Sequence, residues 1–335
     1  MAQFTTSTAI GQREDLSDVI SRIDPDETPV LTALKKSTKN AILFDWQVQE
    51  LAAAAANAQG EGDTINSYNH TPTTRLQNQH QIAYKAFSVS DSMDAVDTAG
   101  RQRESAYQAL LKGIELRRDI EFTLTNDQAK STSGNRKAGT LSSFIANTSL
   151  GASPTKTGSF AADGSDLPVD DAATDTTPAD GVADDWGTPR DLSVALIEDM
   201  MQAAYQDGGN PSLMVMAPFQ KRQFSEATIT SGGTSTVTNQ VNMTATKAAA
   251  AVGSVSVYLS DFGQLETVVD RFMPAERVYL LDPEYAEYTT LPGRNFVKQD
   301  LAKEGDSTRG YVLSEFSLAV TAPKAHAAIY ALTTS

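Results

Sequence analysis

The chain contains no cysteine and only three histidines, His70, His80 and His326, among its 335 residues. Disulfides, thiolate metal sites and cysteine nucleophiles are therefore excluded, and histidines so far apart leave little from which to build a zinc centre or a triad. Positive charge is also scarce. With 27 Lys plus Arg against 42 Asp plus Glu, the net charge is -15, which disfavours phosphate-backbone binding over the whole surface and any generic or sequence-specific nucleic-acid role. No apolar run approaches the ~20 residues that cross a bilayer, so no membrane partner is expected. Residues 1–20 lack the basic start and apolar stretch of a secretory signal, and the expectation is a soluble chain made in the cytoplasm. The length exceeds the ~250–300 residues at which single cores stop growing, so two domains, or one with long excursions, is expected.

What is present reads as an irregular alternation of helices and strands, an α+β chain without a repeat. Residues 14–35 form a polar, amphipathic segment with Leu16, Val19, Ile20 and Ile23 at helical spacing, broken at Pro25 and Pro29. Ile42, Phe44, Trp46 and Val48 then alternate strictly with Leu43, Asp45, Gln47 and Gln49, the period of a strand with one apolar face. A second extended run, Gln81 to Val89, carries Ile82 and Tyr84 on one face and Phe87 and Val89 on the other, a phase slip that predicts a bulge. Between these two arms, residues 51–78 are Ala, Asn, Thr and Gly without a period. Loops beyond ~12–15 residues are usually functional or disordered, and arms of this length would carry such a tip about 30 Å from a parent domain. It needs an external surface to lie on.

From Asp91 to about Asn126 the pattern is helical, with Ala106, Leu110, Ile114, Ile120 and Leu124 close to one stripe and a break expected near Gly100. Residues 148–189 are the compositional outlier. Between Asp163 and Asp185 stand eight aspartates (Asp163, Asp166, Asp170, Asp171, Asp175, Asp180, Asp184, Asp185) and no Lys or Arg, the signature of a solvated insertion. A globular unit resumes at Pro189 with a helix carrying Leu192, Leu196, Met200 and Ala203. A strand over 212–217, a short helix from Pro218 and a hairpin turning at Asp261-Phe262-Gly263 follow, with later strands at 277–282, 311–321 and 325–332.

Candidates for chemistry are weak. Gly208-Gly209-Asn210-Pro211 ends a helix and enters a strand, the reverse of a phosphate-binding order, and reads as a C-cap turn. The aspartate cluster lacks the spacing and terminal Glu of a calcium loop. Pairs such as Asp45 with Glu50, or Glu304 with Asp306, could be cast as acid and base, but with so many carboxylates such pairs arise by chance. Arg117 and Arg118, beside Asp119 and Glu121, read as exposed ion pairs able to set register between subunits. No catalytic, cofactor or metal residue is assigned.

An ordered set of short motifs nevertheless resembles a known family. Asp24-Pro-Asp-Glu-Thr-Pro29-Val-Leu is followed by Trp46, Glu50-Leu-Ala-Ala-Ala, Asn57 and Gly60-Glu-Gly-Asp. Then come Ala99-Gly100-Arg101, Gly208-Gly-Asn-Pro211, Leu213-Met-Val-Met-Ala-Pro218 and Asp261-Phe-Gly263. Arg271-Phe-Met-Pro274, Leu281-Asp-Pro-Glu-Tyr285 and Leu301-Ala-Lys-Glu-Gly-Asp306 complete it. In this order they resemble the tailed-bacteriophage major capsid proteins of the Hong Kong 97-type fold, over nearly the whole chain except about 148–189.

The resemblance implies an N-terminal arm (1–40), an extended two-stranded loop (41–90), a peripheral domain with a long spine helix (91–147), the Asp-rich insertion (148–189), an axial domain (190–270) and axial or peripheral strands (271–335). It implies a shell of pentamers and hexamers around double-stranded DNA, no enzymatic activity and no cofactor. Trp46, Glu50, Arg75, Arg101, Arg117 and Arg118 are the candidates for subunit contacts. A portal is an expected partner, as is a decoration protein. A separate scaffolding protein is expected because no long charged helical segment precedes the arm. The location is the virion, with assembly in the host cytoplasm. Two other readings stand beside this one: an encapsulin-type nanocompartment, which shares the fold, and a secreted acidic calcium-bound adhesin or binding module, for which the N-terminus offers no export signal.

Overall fold

The computed structural model describes residues 24–62, 70–96, 103–150, 162–165, 167, 189–230 and 256–334. Residues 1–23 of the expected arm, Arg101 with its neighbours, most of the Asp-rich stretch and the Ser/Thr-rich segment 231–255 lie outside them.

The chain opens with α1 (Pro29–Ala33), β1 (Lys35–Thr38), β2 (Leu43–Val48), β3 (Thr74–Gln79), β4 (Gln81–Ser90), α2 (Asp91–Ala95), α3 (Glu104–Thr125), α4 (Leu141–Phe144) and β5 (Asn147–Ser149). After the insertion come α5 (Val194–Gln206), β6 (Leu213–Met216), α6 (Pro218–Thr230), β7 (Val257–Ser260), β8 (Gly263–Val269) and β9 (Val278–Leu281). The last elements are β10 (Ala286–Thr290), β11 (Val297–Asp300), β12 (Ser307–Val320), a 3-10 turn (Pro323–Ala325) and β13 (Ala327–Ile329).

β12 organises the first sheet. Its 14 residues, about 46 Å at 3.3 Å each, pair antiparallel with β10 and β11 along one edge and β4 along the other, and β1 adds parallel to β10. α3 packs across β4 and β12. The second sheet, ordered β5-β13-β9-β6-β8-β7, is buried on both faces over β5, β13, β9 and β6 and so separates two cores. Leu213, Val215, Tyr279, Leu281 and Ala328 point into a cluster shared with Leu116, Ile120 and Leu124 of α3. The alternate residues Met214, Met216, Val278, Leu280 and Ile329 meet Ile197, Met200, Met201 and Ala204 of α5. The period of two thus feeds both clusters from one set of strands.

Several expectations are corrected. β4 pairs with β12 through ten consecutive partners, from Ser90 opposite Ser307 to Gln81 opposite Phe316, so no bulge exists. Both faces of β4 carry apolar residues: Phe87 and Val89 are buried, whereas Ile82 and Tyr84 are 44% and 64% exposed. The partner of β2 is β3, from Leu43 opposite Gln79 to Val48 opposite Thr74, and not the 81–89 run, which belongs to the β12 sheet. The described helices of the 91–126 segment are α2 and α3, ending at Ala95 and resuming at Glu104. Pro29 begins α1 instead of breaking a helix, because a missing N–H costs nothing in a first turn. Residues 147–149 form β5, Leu150 is fully buried, and Ala162 and Leu167 are nearly so, so the flanks of the Asp-rich stretch are part of the core.

The turn after α5 is as expected. Gly208 takes φ +88°, its N–H bonding the Tyr205 carbonyl, and Gly209 lies so close to Ala325 that an added Cβ would stand 2.5 Å from its Cα.

Candidate functional site

The connection that leaves β2 toward β3 is exposed over residues 49–62. Its stem is fixed from three sides. Arg75 and Gln77 both bond the Asp45 carboxylate across the pair and hold it below the usual carboxylate range. Trp46 turns inward, its ring 5.6 Å from Phe144 and 5.7 Å from Phe44. At the base of the loop, Lys324 Nζ donates to Glu50 Oε2 at 2.8 Å, tying it to the 3-10 turn. In β3 the buried Asn78 side chain donates to the Gly139 and Leu318 carbonyls and accepts from the Gly139 N–H. Beyond this rigid base, Leu51 to Ala56 are all exposed, Leu51 at 95%.

The spine is held to the N-terminal segment through one carboxylate. Glu121 is fully buried in α3, and its two oxygens accept the N–H groups of Val30 and Leu31 at 2.7 and 2.8 Å, satisfying orphan donors of the first turn of α1. Burial pushes its carboxyl up to about 7; those two amides and Arg117 pull it down, while Asp270 pushes it further up. Glu121 is therefore not an exposed ion-pair partner. Arg117 Nε instead donates to Thr28 Oγ1 at 2.7 Å and its Nη2 to Thr32 Oγ1 at 3.1 Å. Arg118 lies over the Phe272 ring, and Asp119 pairs with Lys85 at 2.7 Å.

The six contact candidates thus fall in two places: Trp46, Glu50 and Arg75 around the hairpin stem, and Arg117 and Arg118 on α3; Arg101 lies outside the described residues. The carboxylate pairs considered for acid and base roles are separated by other partners, since Asp45 is held by Arg75, Glu50 by Lys324 and Glu304 by Arg309. Among the described residues no group of three or more His, Cys, Asp or Glu stands together as a metal site, and no helix is long and apolar enough to cross a membrane. His326 is fully buried, its Nδ1 accepting the Asp282 N–H at 3.1 Å, and burial pushes it down to about 4. Sequence reasoning missed the buried pair Arg277–Asp127 and the buried Glu315 held between Arg136 and Arg294. Their only sequence signal is a charge inside or beside an apolar stretch.

The major capsid protein of Escherichia phage Phieco32 is 24% identical over 348 residues, covering 96% of this chain and 94% of that one. The solved cyanophage A-1(L) capsid asymmetric unit superposes with a TM-score of 0.68 at 13% identity, covering 98% and 99% of the two chains. The SrpI encapsulin of Synechococcus elongatus PCC 7942 gives 0.56 at 9% identity over 96% and 92%. The fold is the Hong Kong 97-type capsid fold. Residues 3–333 match the model of the SU10 major capsid protein family, and the chain belongs to that family.

Proposed function

We propose that this chain is the repeating subunit of an icosahedral shell that closes around the double-stranded DNA of a tailed phage, acting through contact surfaces and without a catalytic site. The observation that carries the reading is the exposed apolar run Leu51–Ala56 on a stem braced by Asp45–Arg75 and Glu50–Lys324. A lone subunit gains nothing from that arrangement; a second copy lying under the loop does, because burial of apolar surface stabilises by about 25 cal/mol per Å². Overlapping loops also spread contact area over several neighbours, which suits a closed shell.

In this reading Trp46, Glu50 and Arg75 act at the contact by aiming the loop, while Arg101, Arg117 and Arg118 offer positive charge along the spine segment. The net charge of -15 keeps packaged DNA weakly held against the wall. A portal and a separate scaffolding protein complete assembly in the host cytoplasm, and a decoration protein is a further partner. The encapsulin likeness supports a second reading of the same fold, a nanocompartment, which would enclose an enzyme in place of DNA.

Deleting residues 53–72, with a two-glycine bridge that leaves β3 whole, tests the proposal. A folded, soluble subunit that no longer forms stable shells is expected. Heat-stable particles of normal size from this deletion would contradict it.

A further inference from the structure

A cleft of about 390 Å³ is lined by residues of α1, β1, α3, β10 and the connection from β10 to β11. That volume falls within the ~300–1,000 Å³ usual for small-molecule sites. Its lining grades from buried to open, since Leu31 and Tyr288 are 4% and 3% exposed whereas Leu110 is 59% exposed. On α3, Leu110, Gly113, Ile114 and Arg117 stand at i, i+3, i+4 and i+7 and so form one wall. At Gly113 an added Cβ would meet nothing within 4 Å, so the wall has a dent at its middle. Phe296, in the β10–β11 connection, completes the apolar lining from a left-handed backbone at φ +50°. Non-glycine residues are rarely held in that conformation, and those that are gather at ligand clamps and other functional sites.

The polar part of the lining is positive. Lys36 stands beside Tyr288 in the parallel β1–β10 register and makes no ion pair among the described residues. Arg117 is held by the Thr28 and Thr32 hydroxyls at 2.7 and 3.1 Å and not by a bonded carboxylate, although its charge also reaches the buried Glu121. Asn295 Oδ1 accepts the Ser314 hydroxyl at 3.2 Å, which leaves the amide N–H groups of Asn295 to donate elsewhere. The buried Tyr288 hydroxyl has no hydrogen-bond partner among the described residues.

The geometry points to a site for a small amphipathic anion, a carboxylate head on a short hydrocarbon tail. Lys36, Arg117 and Asn295 take the head, and the tail lies over Gly113 among Leu31, Ile114 and Phe296. Charge complementarity carries the choice of an anion: in a chain of net charge -15, two cations without a bonded acid line one cleft. A bare inorganic anion would leave the apolar walls wet, and a neutral tail would leave the cations without a partner. The inference goes beyond shell building, because it concerns the single subunit and holds whatever that subunit assembles into. A ligand touching α1, α3 and the β10–β11 connection at once also stabilises the folded subunit by mass action.

Octanoate is the probe, with octanol and acetate as its tail-only and head-only counterparts. Isothermal titration of the full-length subunit at low salt should show one saturable octanoate site with a Kd of about 1 mM or tighter. Both counterparts should bind at least about tenfold more weakly. Lys36→Gln should weaken octanoate about tenfold and leave octanol unchanged. Gly113→Leu fills the dent and should abolish the site; a helix favours Leu over Gly, so this variant keeps its fold. The thermal midpoint should accordingly rise with octanoate in the wild type and stay constant in Gly113→Leu. Octanol bound as tightly as octanoate, an octanoate site that survives Gly113→Leu, or no saturable site up to about 10 mM would each overturn the assignment. So would a site present in the free subunit and absent from assembled particles, since the cleft would then belong to a neighbouring copy.

Discussion

The Arg277 guanidinium lies 2.5 Å from the Asp127 carboxylate, with their side chains 3% and 6% exposed. Asp127 follows the C-terminal end of α3 and Arg277 precedes β9, so this pair fastens the spine to the sheet that divides the two cores. The Tyr279 hydroxyl donates to the Thr125 carbonyl at 3.2 Å beside it.

Asp127→Ala leaves a buried cation without its charge partner, and one broken partner of a buried pair costs about 3–5 kcal/mol. Denaturant unfolding of the variant subunit should show a midpoint shift of that size. A loss under about 1 kcal/mol, the range of an exposed pair, would mean that the pair does not hold the spine.

Glu121 makes stability fall with rising pH. Its folded-state value of about 7 lies above the ordinary 4.5. The folded protein therefore holds a proton that the unfolded chain releases in that window, and on the order of 3 kcal/mol is lost on going from pH 4.5 to above 7. The raised Asp270 acts in the same sense. His326, pushed down to about 4 by burial, acts oppositely: its contribution is present above the unfolded value of 6.5 and lost as pH falls toward 4. Unfolding midpoints of wild type and Glu121→Gln from pH 5 to 8 separate the two. The difference between the proteins should change steadily in favour of the variant as pH rises; parallel curves would contradict the role given to Glu121.

The edge of the Asp-rich stretch should be sensitive and its middle tolerant. Gly164 has φ +85°, and a Cβ there would stand 2.4 Å from Phe144 Cζ; its carbonyl and N–H are bonded to Lys130 N–H and the Ser143 carbonyl. Gly164→Ala should cost about 1–3 kcal/mol through overpacking. Replacing the seven aspartates from Asp166 to Asp185 by Asn should leave the thermal midpoint of the subunit within about 2 °C, as expected of a run whose composition is that of a solvated insertion. A large drop in the second variant would place the stretch in the core.

The parts legible in the sequence are those where a local period decides the outcome. Phe44, Trp46 and Val48 mark one face of β2, and Ile120 with Leu124 marks the buried stripe of α3. What local pattern does not carry is any role set by a distant partner. Glu121 looks like one more helix-surface charge until Val30 and Leu31, some 90 positions away, turn their amides to it. β10 reads Ala-Glu-Tyr-Thr-Thr, yet Thr289 and Thr290 are buried along with Ala286 and Tyr288, a burial that no local apolar pattern carries. The two faces of β4 misled for a related reason: Ile82 and Tyr84 are apolar on an outer face, with Tyr84 against Tyr311 at 6.1 Å, so their periodicity signals surface chemistry and not a bulge. At the hairpin, the exposed loop was readable from composition, but its stem was not, since Thr74–Gln79 has no apolar alternation and is held by Asp45 and Asn78.

The central claim is that this chain closes into shells. Cryo-electron microscopy of the purified protein, expressed with and without a co-produced scaffolding protein, addresses it directly. Closed particles built from fivefold and sixfold clusters of this chain, with residues 51–56 of one copy covered by the next, are the expected result. A monodisperse monomer under every assembly condition, with Leu51 to Ala56 still bare to solvent, would contradict it.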